Sequence, residues 1–316
     1  MKKILITGGA GFIGFNLLKR LSSNKNNLID VYDNFFRGKK DIEFKKVIKR
    51  KNENFFKIDL TVKFKLRRKY DDIYHFAAIV GVSNVNLDPL RTLTNNVKPL
   101  VTILEEINNK KLKPKIIFAS TSEVYGPVFE MNKNIIKFSE QTDLIFPSKV
   151  INRHSYLMSK IYCEKLLELS GQKYIIVRPH NIYGPRMGFS HVIPELINKI
   201  KFKKKINVFS PYHSRAFCFI DDAIDQIVKL SLQKKALNKT FNIGNDSEEI
   251  KIMELATQLI KLMKSKKKIL KQKNFKGSPS RRCPNLNKIK KYIKLNKFSK
   301  LKYGLNKTIR WYSEYE

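Results

Sequence analysis

The sequence predicts an α/β protein, a doubly wound parallel sheet with a smaller C-terminal lobe. Three observations predict it. Short β-rich runs alternate with helical segments through the first half of the chain. A glycine-rich turn, GGAGFIG at 8–14, joins the first run to the first helical segment. Beyond Pro179 the alternation gives way to loops carrying Gly184-Pro185, Pro194 and Pro211.

KKILIT (2–7) is the first expected strand. Residues 12–22 follow as a helix, with Phe12, Ile13, Leu17, Leu18 and Leu21 at helical spacing. NLIDVYD (27–33) is the second strand, and further strands are expected at 54–58, 73–76, 115–119 and 174–178. Helices are expected at 97–109 and 155–170. Strands alternating with helices imply right-handed crossovers in a parallel sheet. The second half is expected to hold a strand at 206–209, helices at 222–233 and 252–263, and a basic loop at 264–280. The domains are placed at 1–178 and 179–316, with 217–221 and 240–243 as segments that can return to the first.

The 316 residues suffice for a large core, and a hydrophobic fraction of 42% is that of a globular chain. Cys163, Cys218 and Cys283 are odd in number and widely spaced, with no CxxC pair or zinc-ligand spacing. That argues against a disulfide framework or metal site and for a reducing compartment, the cytoplasm. No stretch approaches the ~18 apolar residues of a membrane span. The net charge of +37 is spread along the chain, concentrated at 45–51, 63–69, 199–205 and 261–276. These runs lack interleaved aromatics and read as solvated faces in a lysine-rich composition, not as a nucleic-acid site.

GGAGFIG places Gly8, Gly11 and Gly14 between the first strand and first helix. The glycines allow a tight turn, backbone approach to a pyrophosphate, and close helix–sheet packing, the fingerprint of a Rossmann-type dinucleotide site. Asp33 ends the second strand about 20 residues further on, where a carboxylate binds ribose hydroxyls. It would repel a 2′-phosphate, so NAD is expected in preference to NADP, although Arg37 and Lys39 follow closely.

Tyr156 and Lys160 are four apart in SYLMSK and share a helix face. A lysine ammonium and an oxidised nicotinamide are expected to lower the tyrosine pKa, so that the phenolate takes a proton from a sugar hydroxyl. Thr121, Ser122 and Glu123 follow an expected strand, at the carboxyl end of the sheet where ligands bind. A threonine hydroxyl there bonds the reacting oxygen, and a carboxylate moves a second proton.

GGAGFIG, HFAA (75–78), STSEVYG (120–126), YLMSK (156–160), RPHNIYGPRM (178–187) and SRAFCFIDD (214–222) stand in one order along the chain. In this the sequence resembles the extended short-chain dehydrogenases, the NAD-dependent nucleotide-sugar epimerase/dehydratase family, from residue 2 to about 312. The resemblance implies that Thr121, Tyr156 and Lys160 form the catalytic triad, with Ser122 and Glu123 beside it. It implies that Asp59 and Leu60 contact the adenine, that Ala77 and Ala78 line the cofactor, and that Asn96 lies near the catalytic lysine. Phe12, Ile13, Asn34 and Pro179 join the cofactor site. Asn181 and Arg215 hold the nucleotide diphosphate, and Arg282 the substrate. A homodimer through the helices at 97–109 and 155–170 is implied as well.

The resemblance implies a reaction that begins with oxidation at C4 of the sugar, giving a 4-keto intermediate. Thr-Ser-Glu and the segment SPSRRCPNLNKIKKYI (278–293) resemble UDP-glucuronate decarboxylases. GFSHVIPELI after GPRM, and AAIVGV (77–82), resemble UDP-sugar 4-epimerases. A 4,6-dehydratase is the third reading. A catalytically idle nucleotide sensor or RNA-binding protein is the alternative of another class, and retention of Thr121, Tyr156 and Lys160 argues against it.

Overall fold

The computed structural model describes residues 1–132, 137–274 and 279–315. The chain runs β1 (Lys2–Thr7), α1 (Phe12–Leu21), β2 (Asn27–Asp33), α2 (Ile42–Ile48), β3 (Glu53–Lys57), β4 (Asp72–His75), α3 (Val82–Leu87), α4 (Pro89–Asn109) and β5 (Lys115–Ala119). Then come α5 (Gly126–Met131), α6 (His154–Leu169), β6 (Lys173–Pro179), β7 (Ile182–Tyr183), α7 (Val192–Phe202), β8 (Ile206–Val208), β9 (Ser214–Ala216), β10 (Cys218–Phe219) and α8 (Ile220–Ser231). It finishes with β11 (Lys239–Ile243), β12 (Glu249–Lys251), α9 (Ile252–Leu262), β13 (Ile269–Lys271), β14 (Arg281–Arg282), α10 (Asn287–Lys290) and α11 (Leu301–Glu314).

The main sheet has the order β11-β6-β5-β4-β1-β2-β3. The pairs from β6 across to β3 are parallel. Ile4, Leu5 and Ile6 of β1 and Ile116, Ile117 and Phe118 of β5 are buried on both faces, as helices covering a parallel sheet require. Leu5, Tyr32, Ile73 and Phe118 pack with Leu100, Ile103 and Ile107 of α4 and Leu167 of α6. The strand order reverses between β1 and β4, the crevice where open α/β sheets bind ligands.

The chain forms two compact units. The first comprises Met1–Val124, Phe146–Arg178 and Ile227–Phe241, and the second Tyr125–Ile145, Pro179–Gln226 and Asn242–Glu316. The chain thus changes unit at 178/179 and at four further points. Residues 239–243 form the edge strand of the main sheet. Cys218–Phe219, however, pairs with β7 inside the second unit, so 217–221 does not return. Within the second unit, β12-β9-β14 form a small sheet and β13 pairs with β8.

Three local expectations are corrected. The second long helix begins at Pro89, eight residues before 97, because Asp88 accepts from Arg91 N at 2.9 Å and Pro89 needs no N–H there. Pro194 is no loop residue but stands in the first turn of α7, where proline costs no hydrogen bond. The basic loop at 264–280 contains β13, because Ile269 and Leu270 pair with Ile206 and Asn207 between flanking lysines. Residues 275–278 of that loop, including the first residue of the arginine-rich segment, lie outside the described residues.

Candidate active site

The turn after β1 is built by its glycines. Gly8 has φ +72°, and a Cβ there would stand 2.6 Å from Ala77 N. The loops after β1 and β4 therefore touch at the strand-order reversal. A Cβ on Gly14 would collide with Gly8 O, which fixes how closely α1 approaches the turn. Gly11 is the N-cap of α1 and offers no side chain; no acidic residue stands in the first turn, which Phe12 and Ile13 open. An uncapped helix start lined by glycine fits the pyrophosphate of a dinucleotide.

Asp33 closes the same site. Its Oδ2 accepts from Ala10 N at 3.0 Å and its Oδ1 from Phe35 N at 2.7 Å. Each oxygen keeps a lone pair for a ribose hydroxyl. Burial raises the carboxyl pKa, and the N–H groups of Phe35 and Ala10 oppose it. Asn34 is exposed and accepts from Phe36 N. Asp59 is exposed and closes a local turn by accepting from Thr61 N at 2.9 Å, while Leu60 is buried in the core. Ala77 and Ala78 are partly buried. Asn96 accepts from Ile79 N at 2.6 Å and donates to Ile79 O at 3.0 Å. It therefore braces the loop after Ala78 with both ends of its amide. Pro179 is the last residue of β6.

Tyr156 and Lys160 project from α6 beside the end of β5. The Lys160 ammonium donates to Ala119 O at 2.7 Å and lies 4.7 Å from the centre of the Phe118 ring. Burial pulls its pKa down to about 8, and the charges of Cys163 and Glu164 work the other way. His75, in the neighbouring strand, is held at about 3 by burial and then by the Lys160 charge, so it is neutral. Glu164 of α6 is locked by Arg178 of β6 through two bonds of 3.0 and 2.6 Å, and it also accepts from Ser120. This buried fork fixes α6 against the ends of β5 and β6.

Thr121 lies close enough to Tyr156 to bear on its phenol. Burial pushes the tyrosine pKa up, the Glu123 charge adds to that, and the Thr121 hydroxyl and the Arg37 charge oppose it. The expected relief from Lys160 is not among these causes; the ammonium is committed to Ala119 O. In the protein alone the phenol keeps its proton. Ser122 is buried, and Thr121 Oγ1 accepts from Glu123 N at 3.2 Å, which closes the turn carrying the carboxylate. Glu123 is ion-paired with Arg153, the N-cap residue of α6, at 3.1 Å. Arg153 and the nearness of Arg37 to Tyr156 escaped sequence reasoning. Arg153 stands only three residues before Tyr156, a spacing that signals a shared helix end.

The remaining candidates lie in the second unit. Asn181, at φ +45°, donates from Nδ2 to Ala216 O at 3.0 Å and to Arg282 O at 3.1 Å. It ties β9 to β14. Arg215 and Arg282 are register partners on those parallel strands, so they share a face. Arg215 is mostly buried, and its Nη1 donates to Ser214 O at 2.7 Å. Asp222 accepts from Ser299 N at 2.9 Å. His180 bonds through Nε2 to Asn242 Oδ1 at 3.1 Å. Among the described residues, no group of three or more His, Cys, Asp or Glu is placed to hold a metal. No described helix is long and apolar enough to cross a membrane.

The first unit thus offers a place for a dinucleotide and, at the carboxyl end of the same sheet, a tyrosine near a threonine. This is the pattern of a short-chain dehydrogenase site. The chain belongs to the NAD dependent epimerase/dehydratase family, whose profile matches residues 4–244, and NAD is its cofactor. It is 30% identical over 329 residues to a UDP-N-acetyl-alpha-D-glucosaminuronate decarboxylase of Bacillus cytotoxicus, covering 100% of this chain and 99% of that one. It is 29% identical to UDP-glucuronic acid decarboxylase 1 of Danio rerio, covering 99% of this chain and 73% of that protein. Among solved structures it is similar to UDP-glucuronic acid 4-epimerase from Bacillus cereus in complex with UDP-glucuronic acid and NAD. There the TM-score is 0.85, with 25% identity and 99% of each chain covered.

Proposed function

We propose that the protein is a cytoplasmic UDP-uronate decarboxylase acting through a 4-keto sugar. The observation that carries this reading is Glu123. A carboxylate stands beside the Tyr156–Thr121 pair, close enough for its charge to act on the phenol. Epimerisation at C4 has no need of one. Two of the similar proteins, from Bacillus cytotoxicus and Danio rerio, are decarboxylases of UDP-linked uronates, and the Bacillus cereus structure binds UDP-glucuronic acid. The uronate is thus common to relatives that perform different reactions.

Bound NAD supplies the two-electron acceptor at C4 of the sugar and the reductant that later restores the C4–H bond. Asp33 and the glycine turn hold it. The phenol pKa is drawn down by the positive nicotinamide of bound NAD, so that Tyr156, once deprotonated, accepts the C4 hydroxyl proton while Thr121 bonds the same oxygen, and the product is a C4 ketone. The C6 carboxylate is then β to a carbonyl. Its C5–C6 bond breaks, carbon dioxide leaves, and the electron pair becomes an enolate. The proton that C5 takes up comes from solvent, and Glu123 orients its delivery. Tyr156 returns its proton to the C4 oxygen as the ketone is reduced, and the net change is uptake of one proton and loss of one carbon dioxide.

Arg215 and Arg282 are assigned to the nucleotide diphosphate and the uronate carboxylate, which suit guanidinium forks. Asn181, whose amide N–H groups go to Ala216 O and Arg282 O, braces the strands that carry them rather than binding the diphosphate itself. The 4-epimerase reading stands second, favoured by the TM-score of 0.85 to the Bacillus cereus enzyme. We also infer a homodimer through α4 and α6, which expose Leu90, Tyr162 and Leu169. Incubation with UDP-glucuronate and UDP-N-acetylglucosaminuronate separates the readings: decarboxylation lowers the product mass by one carbon dioxide, and epimerisation leaves it unchanged.

A further inference from the structure

The ion pair between Arg153 and Glu123 is not explained by anything the fold requires. Arg153 is the N-cap residue of α6, yet its side chain makes no cap hydrogen bond. Its guanidinium instead reaches back 30 residues to Glu123, donating from Nη2 to Oε1 at 3.1 Å. Both side chains are about one-fifth exposed, 20% and 22%, so the pair is neither buried in the core nor free in solvent. An exposed ion pair of this kind adds little to stability. Its position is what distinguishes it. One partner is the carboxylate whose charge acts on Tyr156, and the other is three residues before Tyr156 on the same helix start.

Resting on the decarboxylase reading, we propose that Arg153 is a positioning residue for Glu123. It holds the carboxylate in place while the uronate carboxylate occupies the site. Without a cation here, Glu123 and the substrate carboxylate would meet as two like charges in a partly desolvated space. Glu123 would then turn away from its place before its step. The contact is a single Nη2–Oε1 bond at 3.1 Å from a rigid, planar guanidinium, which the flexible point charge of a lysine replaces incompletely.

The test is a double-mutant cycle on Arg153→Met, Glu123→Gln and the double variant, with Arg153→Lys as the conservative change. The readouts are KM, kcat, and the single-turnover absorbance of reduced nicotinamide on mixing with UDP-glucuronate. Arg153→Met is expected to lower kcat by roughly 10- to 100-fold. KM and the first appearance of reduced nicotinamide should stay within about threefold, because oxidation at C4 precedes the Glu123 step. Arg153→Lys should recover part of the loss. In the Glu123→Gln background, Arg153→Met should cost nothing more, since its effect passes through Glu123. If the two losses multiply, or the loss lies in KM, Arg153 acts on the substrate or the fold and the proposal is wrong. If Glu123→Gln is damaging but Arg153→Met is silent, the proposal fails and the decarboxylase reading survives. If Glu123→Gln is itself silent, both fall.

Discussion

Arg215 and Arg282 are direct register partners on parallel strands, so two guanidinium side chains leave one face of the small β12-β9-β14 sheet. Arg281, one residue earlier, leaves the opposite face, where its Nε donates to Glu249 Oε2 at 2.8 Å. Adjacent arginines therefore have different partners. Arg215→Met and Arg282→Met should each raise KM for a UDP-uronate by roughly 10-fold or more, the value of a charge-assisted hydrogen bond. Arg281→Met should leave KM within about twofold. Steady-state kinetics on the three variants checks this.

Tyr156→Phe removes the proton acceptor and leaves the helix intact. Turnover should fall by roughly 10²- to 10⁴-fold, the range of general acid–base catalysis, with NAD affinity and the circular dichroism spectrum retained. Normal turnover would show that the proton goes elsewhere.

Asp33, assigned to the ribose hydroxyls, should set the choice of dinucleotide. Asp33→Asn should weaken NAD binding by about 10-fold, because charged hydrogen bonds to the ribose become neutral ones. The same change removes the repulsion of a 2′-phosphate, so affinity for NADP should rise. Titration calorimetry with both dinucleotides reads the two shifts, and Arg37 and Lys39 stand close in sequence to favour the second.

Lys160 ties stability to pH. Its folded pKa of about 8 lies below its ordinary value of 10.5. Between those values the unfolded chain holds a proton that the folded protein has released, so folded stability rises with pH across that window. Lys160→Met lacks this dependence. From pH 8 to 10.5 the stability difference should move in favour of the wild type by about 3 kcal/mol. Urea unfolding at a series of pH values measures it.

What was legible in the sequence was what local spacing encodes. The turn at Gly8, Gly11 and Gly14 reads from three glycines between a strand and a helix. Tyr156 and Lys160 read from a separation of four. The full extent of the interleaving did not read, because Tyr125–Ile145 joins the second unit and the whole of Ile227–Phe241 the first through contacts distant in sequence. β13 was hidden because its Ile269–Leu270 pair is short and surrounded by lysines, and only its pairing with β8 makes it a strand. The start of α4 carried a signal, Asp88-Pro89, that outweighs the weak apolar periodicity of its first two turns. Arg153 left no mark because its partner is 30 residues away and the bond depends on how β5 and α6 meet.

The central claim is that Glu123 serves a reaction that breaks the C5–C6 bond of a uronate. Mass spectrometry of products from UDP-glucuronate and UDP-N-acetylglucosaminuronate, with NAD present, tests it most directly. The account predicts a UDP-pentose or its amino-sugar counterpart, lighter than the substrate by one carbon dioxide, lost when Glu123 is changed to Gln. A new product of unchanged mass, formed equally well by Glu123→Gln, would contradict it and establish the epimerase reading.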